Sequence, residues 1–387
     1  MEEVKMKVLV MGAPYEVVNY GNRAISECFA ATGYNTGNLL IGNGLVKQLR
    51  CDSISTYSSK MSAAYINESF DQIVIPAANF LHPKFDFSSL SDVLENTTLP
   101  VFMVGLGAQL PTVDHELEHI PAGTWRLVQI AAERSTSIGV RGYFTADALR
   151  KNGISNVRVT GCPSLYTNLA HYTRIKRPVG SIIERTVVNG SRNVFDHAAD
   201  RESAVRVEKA LFHFAYSNQR PFVLQNEQPE IQLSLGEIES ASSADINSLA
   251  KLFSISPEGF VSYYTKYGKT FFSVSEWFNW IKGFDFSIGT RFHGNLAALL
   301  NGVPSVVLVH DSRTRELCEF AAIPHAFIQD VQTLDPQKLY EKANFDLFEE
   351  RYNQLHRKYV EFLNENKIPH LLEVGVDLPT RGRIAVN

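Results

Sequence analysis

Two basic clusters stand where short apolar runs give way to helical patterns, and both carry residue types that bind anions and move protons. The first is GTRFHGN, residues 289–295. Arg291 offers a permanently charged fork that matches phosphate or carboxylate. His293, two positions on, titrates near neutrality and can give or take a proton. With FDFSIG as a strand and the residues after His293 as a helix, Thr290 and Arg291 fall in the turn. Thr290 and Gly294 then lie beside the free N–H groups and positive end of a helix, which favour an anion. The competing structural reading has Arg291 paired with a carboxylate and His293 capping the helix. The second cluster, VHDSRTREL (residues 309–317), repeats the arrangement. Ser312 is placed to cap the next helix, with Glu316 in its first turn. Arg313 and Arg315 crowd that helix's positive end, which is unfavourable unless an anion or carboxylate is close. Asp311 is the obvious structural partner, and His310, ending a buried strand, reads as a core residue.

Further candidates sit at other strand exits. NGSRNVFDH (residues 189–197) brings Ser191 and Arg192 to the edge of the same cleft, the alternative being a solvated turn arginine. LQNEQPE (residues 224–230) brings Gln225, whose amide suits sugar hydroxyls and suits a polar loop equally. VRG places Arg141 at a strand exit, and NTGNLLIGNGLVKQL opens a helix at Asn38 with glycines that permit close approach. Neither this segment nor NYGNRA is the GxGxxG dinucleotide fingerprint. No HExxH or CxxC occurs, so no metal site and no cofactor is expected.

Parallel strands buried on both faces are the elements that would place these groups. KVLVMG, DQIVIPAANF, LPVFMVGLGAQLP, STSIGVR and NVRVTGCPSL are short Val- and Ile-rich runs closed by small residues. Helical patterns such as TWRLVQIAAERS and TADALRKNG separate them, the latter with Thr145 as N-cap and Gly153 as stop. A second series starts near residue 184: ERTVVNG, RPFVLQN, FDFSIG and VPSVVLV as strands, ESAVRVEKALFHFAYSN and NLAALLN as helices. Alternation of this kind predicts α/β architecture with two Rossmann-like domains facing a central cleft. The expected boundaries are 1–180, 181–345 and a C-terminal helix and tail, 346–387, lying across both. ESASSADINS reads as a mobile polar loop. In open α/β sheets ligands sit beyond the carboxyl ends of the strands, where these candidates fall.

Composition narrows the function classes. The chain has 387 residues, 44% hydrophobic and 20% charged, with net charge −4, so no global basic field draws it to nucleic acid and any anion site must be local. Four separated cysteines and an N-terminus, MEEVKMKVLVMG, lacking a signal-peptide core fit a reduced, cytoplasmic protein. No apolar stretch approaches a membrane span; peripheral membrane contact remains compatible with the sequence. Oligomeric state is not legible.

Taken together, IGTRFHGNLAALLNGVPSVVL, DSRTREL, NTGNLLIGNGLVKQL, DQIVIPAANFLH, LPVFMVGLGAQLP, IGVRGYFTADALRKNGISNVRVTGCPSL and SEWFNWIKGFDFSIG resemble, in order, the polysaccharide pyruvyl transferase family. The resemblance implies a GT-B-like architecture. It implies transfer of the pyruvyl group of phosphoenolpyruvate to two hydroxyls of a sugar as a cyclic ketal, in cell-surface or exopolysaccharide biosynthesis. Phosphoenolpyruvate is then the donor substrate, bound on the C-terminal side. A sugar or glycan acceptor, free or lipid-linked, occupies the N-terminal side. The family's active-site arginine and histidine fall on Arg291 and His293, and an arginine early in its second domain on Arg192. Where many relatives have a glycine-rich turn, this chain has PAAN, Pro76–Asn79, which leaves acceptor identity open. Two other readings stand beside it: a glycosyltransferase of the same architecture using a nucleotide sugar, and a non-catalytic sugar-phosphate binding protein.

Overall fold

In the computed structural model two parallel sheets lie on either side of a cleft. The structure describes residues 6–110, 117 and 119–373. Residues 1–5 of the N-terminal stretch, Pro111 at the end of LPVFMVGLGAQLP and 374–387 of the C-terminal tail lie outside them.

The first sheet has the order β2-β1-β3-β4, with β1 Lys7–Val10, β2 Ser53–Thr56, β3 Gln72–Pro76 and β4 Val101–Val104. A short pair, β5 Ile138–Val140 and β6 Val157–Val159, continues it through Gly105 N–H to Gly139 O (2.9 Å) and Arg141 N–H to Leu106 O (2.9 Å). Every residue of β3 and β4 is buried, as their unbroken apolar runs require. Each such Val or Ile contributes about 1.5–3 kcal/mol of burial. β2 was not foreseen, because SIST at a sheet edge carries no apolar run.

The second sheet has the order β12-β11-β10-β7-β8-β9. Its strands are β7 Thr186–Val188, β8 Phe222–Val223, β9 Gly268–Lys269, β10 Phe286–Gly289, β11 Ser305–Val309 and β12 His325–Phe327. β10 and β11 are wholly buried, and their exits carry the two basic clusters. Gly302, at φ 77°, closes helix Phe292–Leu300 as its sequence predicts. The architecture is GT-B-like.

Two local expectations are corrected. ESASSADINS is not a loop throughout: Ser242 accepts from Asp245 N–H and starts helix Ser243–Leu252. Thr145 is not an N-cap. Helix Tyr143–Lys151 begins after Gly142, and Thr145 instead donates N–H (2.7 Å) and Oγ1–H (3.0 Å) to Glu316 in the other half.

Helix Phe345–Glu365 touches both sheets' surroundings. Arg351 Nε donates to Phe320 O (3.0 Å), and Arg177 pairs with Asp346 (2.8 Å). Farther along, Tyr359 stacks on Tyr166 at 4.1 Å and donates to Gln48 Oε1, and Phe362 meets Phe102. One apolar cluster therefore runs from Val8 and Leu40 through Tyr166 and Tyr359 to Phe286 and Leu308. Among the described residues no helix is long and apolar enough to cross a membrane.

Candidate active site

The cleft encloses about 590 Å³ and is lined from both halves. Asn38, Arg141, Arg291, His293 and Arg313, five of the residues singled out from the sequence, line it. β10 ends at Gly289, whose φ of 153° and contact with Asn189 O suit glycine: a Cβ there would lie 2.1 Å from that oxygen. The chain then turns through Thr290 and enters helix Phe292–Leu300 with Arg291 as N-cap and no side-chain cap. His293 is the second helical residue, beside backbone N–H groups that have no intrahelical partner.

The charges at the cleft floor are unequal. Arg291 donates to Glu227 Oε1 (2.6 Å), while its Nε has no partner among the described residues. Glu227 also accepts from Gln225 N–H (2.9 Å) and Asn226 N–H (3.0 Å). Burial alone would raise its carboxyl, but Arg291, Ser191 and these N–H groups hold it below the usual range. Arg313 leans on Asp311 at 3.4 Å, and its Nε is likewise unpartnered. Arg141 is 1% exposed. Its Nε donates to Gly105 O (2.9 Å), Nη1 to Asn79 Oδ1, and Nη2 has no partner among the described residues. Among the described residues, Arg291 pairs with Glu227 and Arg313 with Asp311, whereas Arg141 makes hydrogen bonds but no salt bridge, with the Glu316 carboxyl as its nearest acidic neighbour.

His293 sits among them. Its Nε2 lies 3.7 Å from Cys162 Sγ, which itself accepts from Ser164 Oγ (2.9 Å). Burial, then Arg141, Arg313 and Arg291, push its pKa well below the ordinary value, so the imidazole is neutral in the free protein at neutral pH. A bound anion cancels part of that cationic field and raises it. In a pH titration followed by NMR, with His293→Gln for assignment, the His293 Cε1–H signal is expected to stay at its neutral position well below about pH 6.5. Addition of phosphoenolpyruvate should move the transition upward. An ordinary transition in the free protein would contradict this account of the floor.

The second basic cluster departs from expectation. Asp311, not Ser312, caps helix Ser312–Ala321, accepting from Thr314 N–H (2.8 Å) while Thr314 Oγ1 reaches back to the Asp311 N–H. That helix's positive end is therefore already matched by a carboxylate. Ser312 joins the halves instead, its Oγ accepting from Leu110 N–H (3.0 Å). His310 was read as a core residue, yet it lines the cleft and its ring nitrogen lies 3.5 Å from Asp311. Burial, opposed by Asp311, takes its pKa down to about 4. Against burial, Arg313, His310 and Thr314 hold the Asp311 carboxyl at about 2.

Five further candidates do not reach the cleft. Arg192 makes a two-point ion pair with buried Glu230, Nε–Oε1 2.9 Å and Nη2–Oε2 3.3 Å. Ser191 caps the turn Arg192–Asp196 and bonds Glu227; Thr290 donates to buried Glu208. Gln225 is buried, its carbonyl accepting from Thr36 N–H (2.9 Å) across the halves. Gly294 serves packing: a Cβ there would lie 2.0 Å from Asn189 Oδ1. These residues build the support under Arg291 rather than the lining. PAAN does shape the cleft, since Ala78 and Asn79 line it. Asn79 accepts from Arg141 and donates to Gln109 (3.0 Å), which donates to Asp311 (3.2 Å).

Sequence reasoning missed Tyr34, Phe85, Phe87, Gln109 and His197 in the lining. A tyrosine and an asparagine after a glycine (GYN) were the available signal for Tyr34. The others stand on long connections with no pattern to place them.

A GT-B-like protein with three arginines and a histidine at the floor of the cleft between its halves is the class that this geometry defines. The chain belongs to the polysaccharide pyruvyl transferase family, which it matches over residues 35–312. No curated protein matches it. Similar solved structures include the UDP-GlcNAc 2-epimerase of Methanocaldococcus jannaschii, at 12% identity over 93% of this chain and 99% of that one, TM-score 0.44. They also include the UDP-N-acetylglucosamine 2-epimerase of Rickettsia bellii, at 9% identity over 93% and 96%, TM-score 0.43. The UDP complex of S. aureus MnaA matches at 10% identity over 90% and 91%, TM-score 0.41.

Proposed function

We propose that the protein transfers the pyruvyl group of phosphoenolpyruvate to two hydroxyls of a sugar. The observation that carries this reading is the cluster of Arg141, Arg291 and Arg313 around a neutral His293, at a helix N-terminus without a side-chain cap. Phosphoenolpyruvate brings a phosphate and a carboxylate attached to one vinyl carbon. The guanidiniums of Arg291, Arg313 and Arg141, which line the cleft, are the donors for them.

The chemistry balances without a redox step. The first sugar hydroxyl adds to the central carbon of the enol, and its proton ends on the methylene carbon, which becomes a methyl group. The C–O bond to phosphate then breaks, the second hydroxyl closes the ketal on the same carbon, and its proton leaves on the phosphate. The products are inorganic phosphate and a carboxyethylidene sugar. His293, neutral in the free protein, takes the hydroxyl proton. The donor's negative charge raises its basicity at the moment it is needed; the first hydroxyl's proton then passes from His293 to the methylene carbon and the second hydroxyl's to the departing phosphate.

The test is incubation with phosphoenolpyruvate and a panel of sugars, free, nucleotide-linked and lipid-linked. Phosphate release coupled to a pyruvyl mass gain on one sugar is expected. Turnover of a UDP- or CMP-sugar without phosphoenolpyruvate would assign glycosyl transfer instead. Ligand binding with no turnover of either donor would assign a binding protein.

A further inference from the structure

The mouth of the cleft carries an aromatic ring that the fold does not require. Tyr34 lines the cleft and is 64% exposed. Its backbone lies at φ 58°, a left-handed conformation that costs any residue with a Cβ. The turn ends helix Ile25–Ala31, with Gly33 N–H bonded to Ala30 O (2.9 Å) and Tyr34 N–H to Phe29 O (3.1 Å). Glycine occupies the first left-handed position, 33 (φ 64°), and would serve equally at 34. Burial does not offset the strain, because the ring meets only the edge of Phe29, at 5.5 Å, within the aromatic contacts it makes. A strained, exposed aromatic at a cleft mouth is the pattern of a ligand contact.

The support under that ring is fixed. Thr36 N–H bonds Gln225 O in the other half (2.9 Å), Asn35 Oδ1 accepts from Gly37 N–H (2.9 Å), and Asn38 Nδ2 donates to Thr32 O (3.1 Å). The lining beside it differs from the floor in charge. Asn35, Asn38 and Asn226 are neutral amides, and Phe85 adds a second exposed ring. Asn226 Oδ1 accepts from Asn193 (2.8 Å). Among the described residues Asn35 Nδ2, Asn38 Oδ1 and Asn226 Nδ2 have no hydrogen-bond partner, which leaves two donors and an acceptor of the kind that sugar hydroxyls use.

We propose that Tyr34 is the platform on which the acceptor stacks, and that the acceptor unit is an uncharged hexopyranose held by Asn35, Asn38 and Asn226. This rests on the reading of the cleft as a sugar-acceptor site. The apolar face of a pyranose covers the ring, while its hydroxyls meet amides. A uronate finds no cation among these residues, and its carboxylate competes with the donor for the arginine floor.

Binding of methyl glycosides of glucose, galactose, mannose and glucuronic acid to the full chain, read by saturation-transfer NMR and titration, tests it without turnover. At least one methyl hexopyranoside should bind, and more tightly than the glucuronide. For that sugar, Kd should rise about tenfold in Tyr34→Ala and in Tyr34→Gly and stay near wild type in Tyr34→Phe. Kd for phosphoenolpyruvate should not change in any variant. Tyr34→Gly should melt above Tyr34→Ala, since glycine relieves the backbone. The proposal is overturned if no methyl hexopyranoside binds, if the glucuronide binds best, or if Tyr34→Ala binds as wild type. It is also overturned if that variant loses phosphoenolpyruvate and sugar equally. Tyr34-dependent sugar binding in a protein that does not bind phosphoenolpyruvate would sink pyruvyl transfer and leave this site standing.

Discussion

In a His293→Ala variant, phosphate release from phosphoenolpyruvate is expected to fall by about 10²–10⁴-fold, the range of a positioned acid–base group. The fold should hardly notice. Among the described residues His293 makes no ion pair; its ring lies 3.7 Å from the Cys162 sulfur and meets the edge of Phe292 at 5.4 Å. Its removal takes a neutral ring away from three cations and leaves the Arg291–Glu227 pair intact. Melting temperature and phosphoenolpyruvate affinity are the controls: both should stay near wild type while turnover collapses. Turnover near the wild-type rate would remove His293 from the reaction.

Arg291→Met is expected to do two kinds of damage, and a second substitution separates them. Glu227 loses its closest cation while buried, a change that costs about 3–5 kcal/mol when one partner of a buried pair is deleted. The donor also loses a guanidinium at the floor, worth about 10²–10³-fold in turnover for one such electrostatic contact. The pair Arg291→Met/Glu227→Gln removes the stranded charge, so most of the melting temperature should return. Turnover should not. Full recovery of phosphoenolpyruvate turnover in the pair would show that Arg291 acts through Glu227 alone and touches no donor.

Much of this was legible in the chain. The β10–helix and β11–helix junctions were found from buried runs of Val, Ile and Leu followed by polar turns, and that alone put Arg291 and His293 at a strand exit. The failures share one cause: partner choice across distance. Arg192 looked equivalent to Arg291 locally, but Glu230, 38 residues on, engages it, and no periodicity announces such a pair. Ser312 is a good cap by type, yet Asp311 precedes it and a carboxylate outcompetes a hydroxyl for the positive end. Thr145 was misread for the same reason, since its partner Glu316 belongs to the other half. β9, Gly268–Lys269, has two residues, one of them glycine, and exists because β8 offers it a ladder, not because its own sequence favours extension. Arg141 was named as a strand-exit arginine, but its depth follows from Gly107, where a Cβ would lie 2.6 Å from its Cδ.

Asp311 ties the two halves together electrically. Its carboxylate accepts from Gln109 of the first half (3.2 Å), lies 3.4 Å from Arg313 of its own, and caps helix Ser312–Ala321 besides. A change at Gln109 therefore reaches the Arg313 guanidinium through one shared carboxylate. The charge at the cleft floor belongs to the pair of halves and not to either alone.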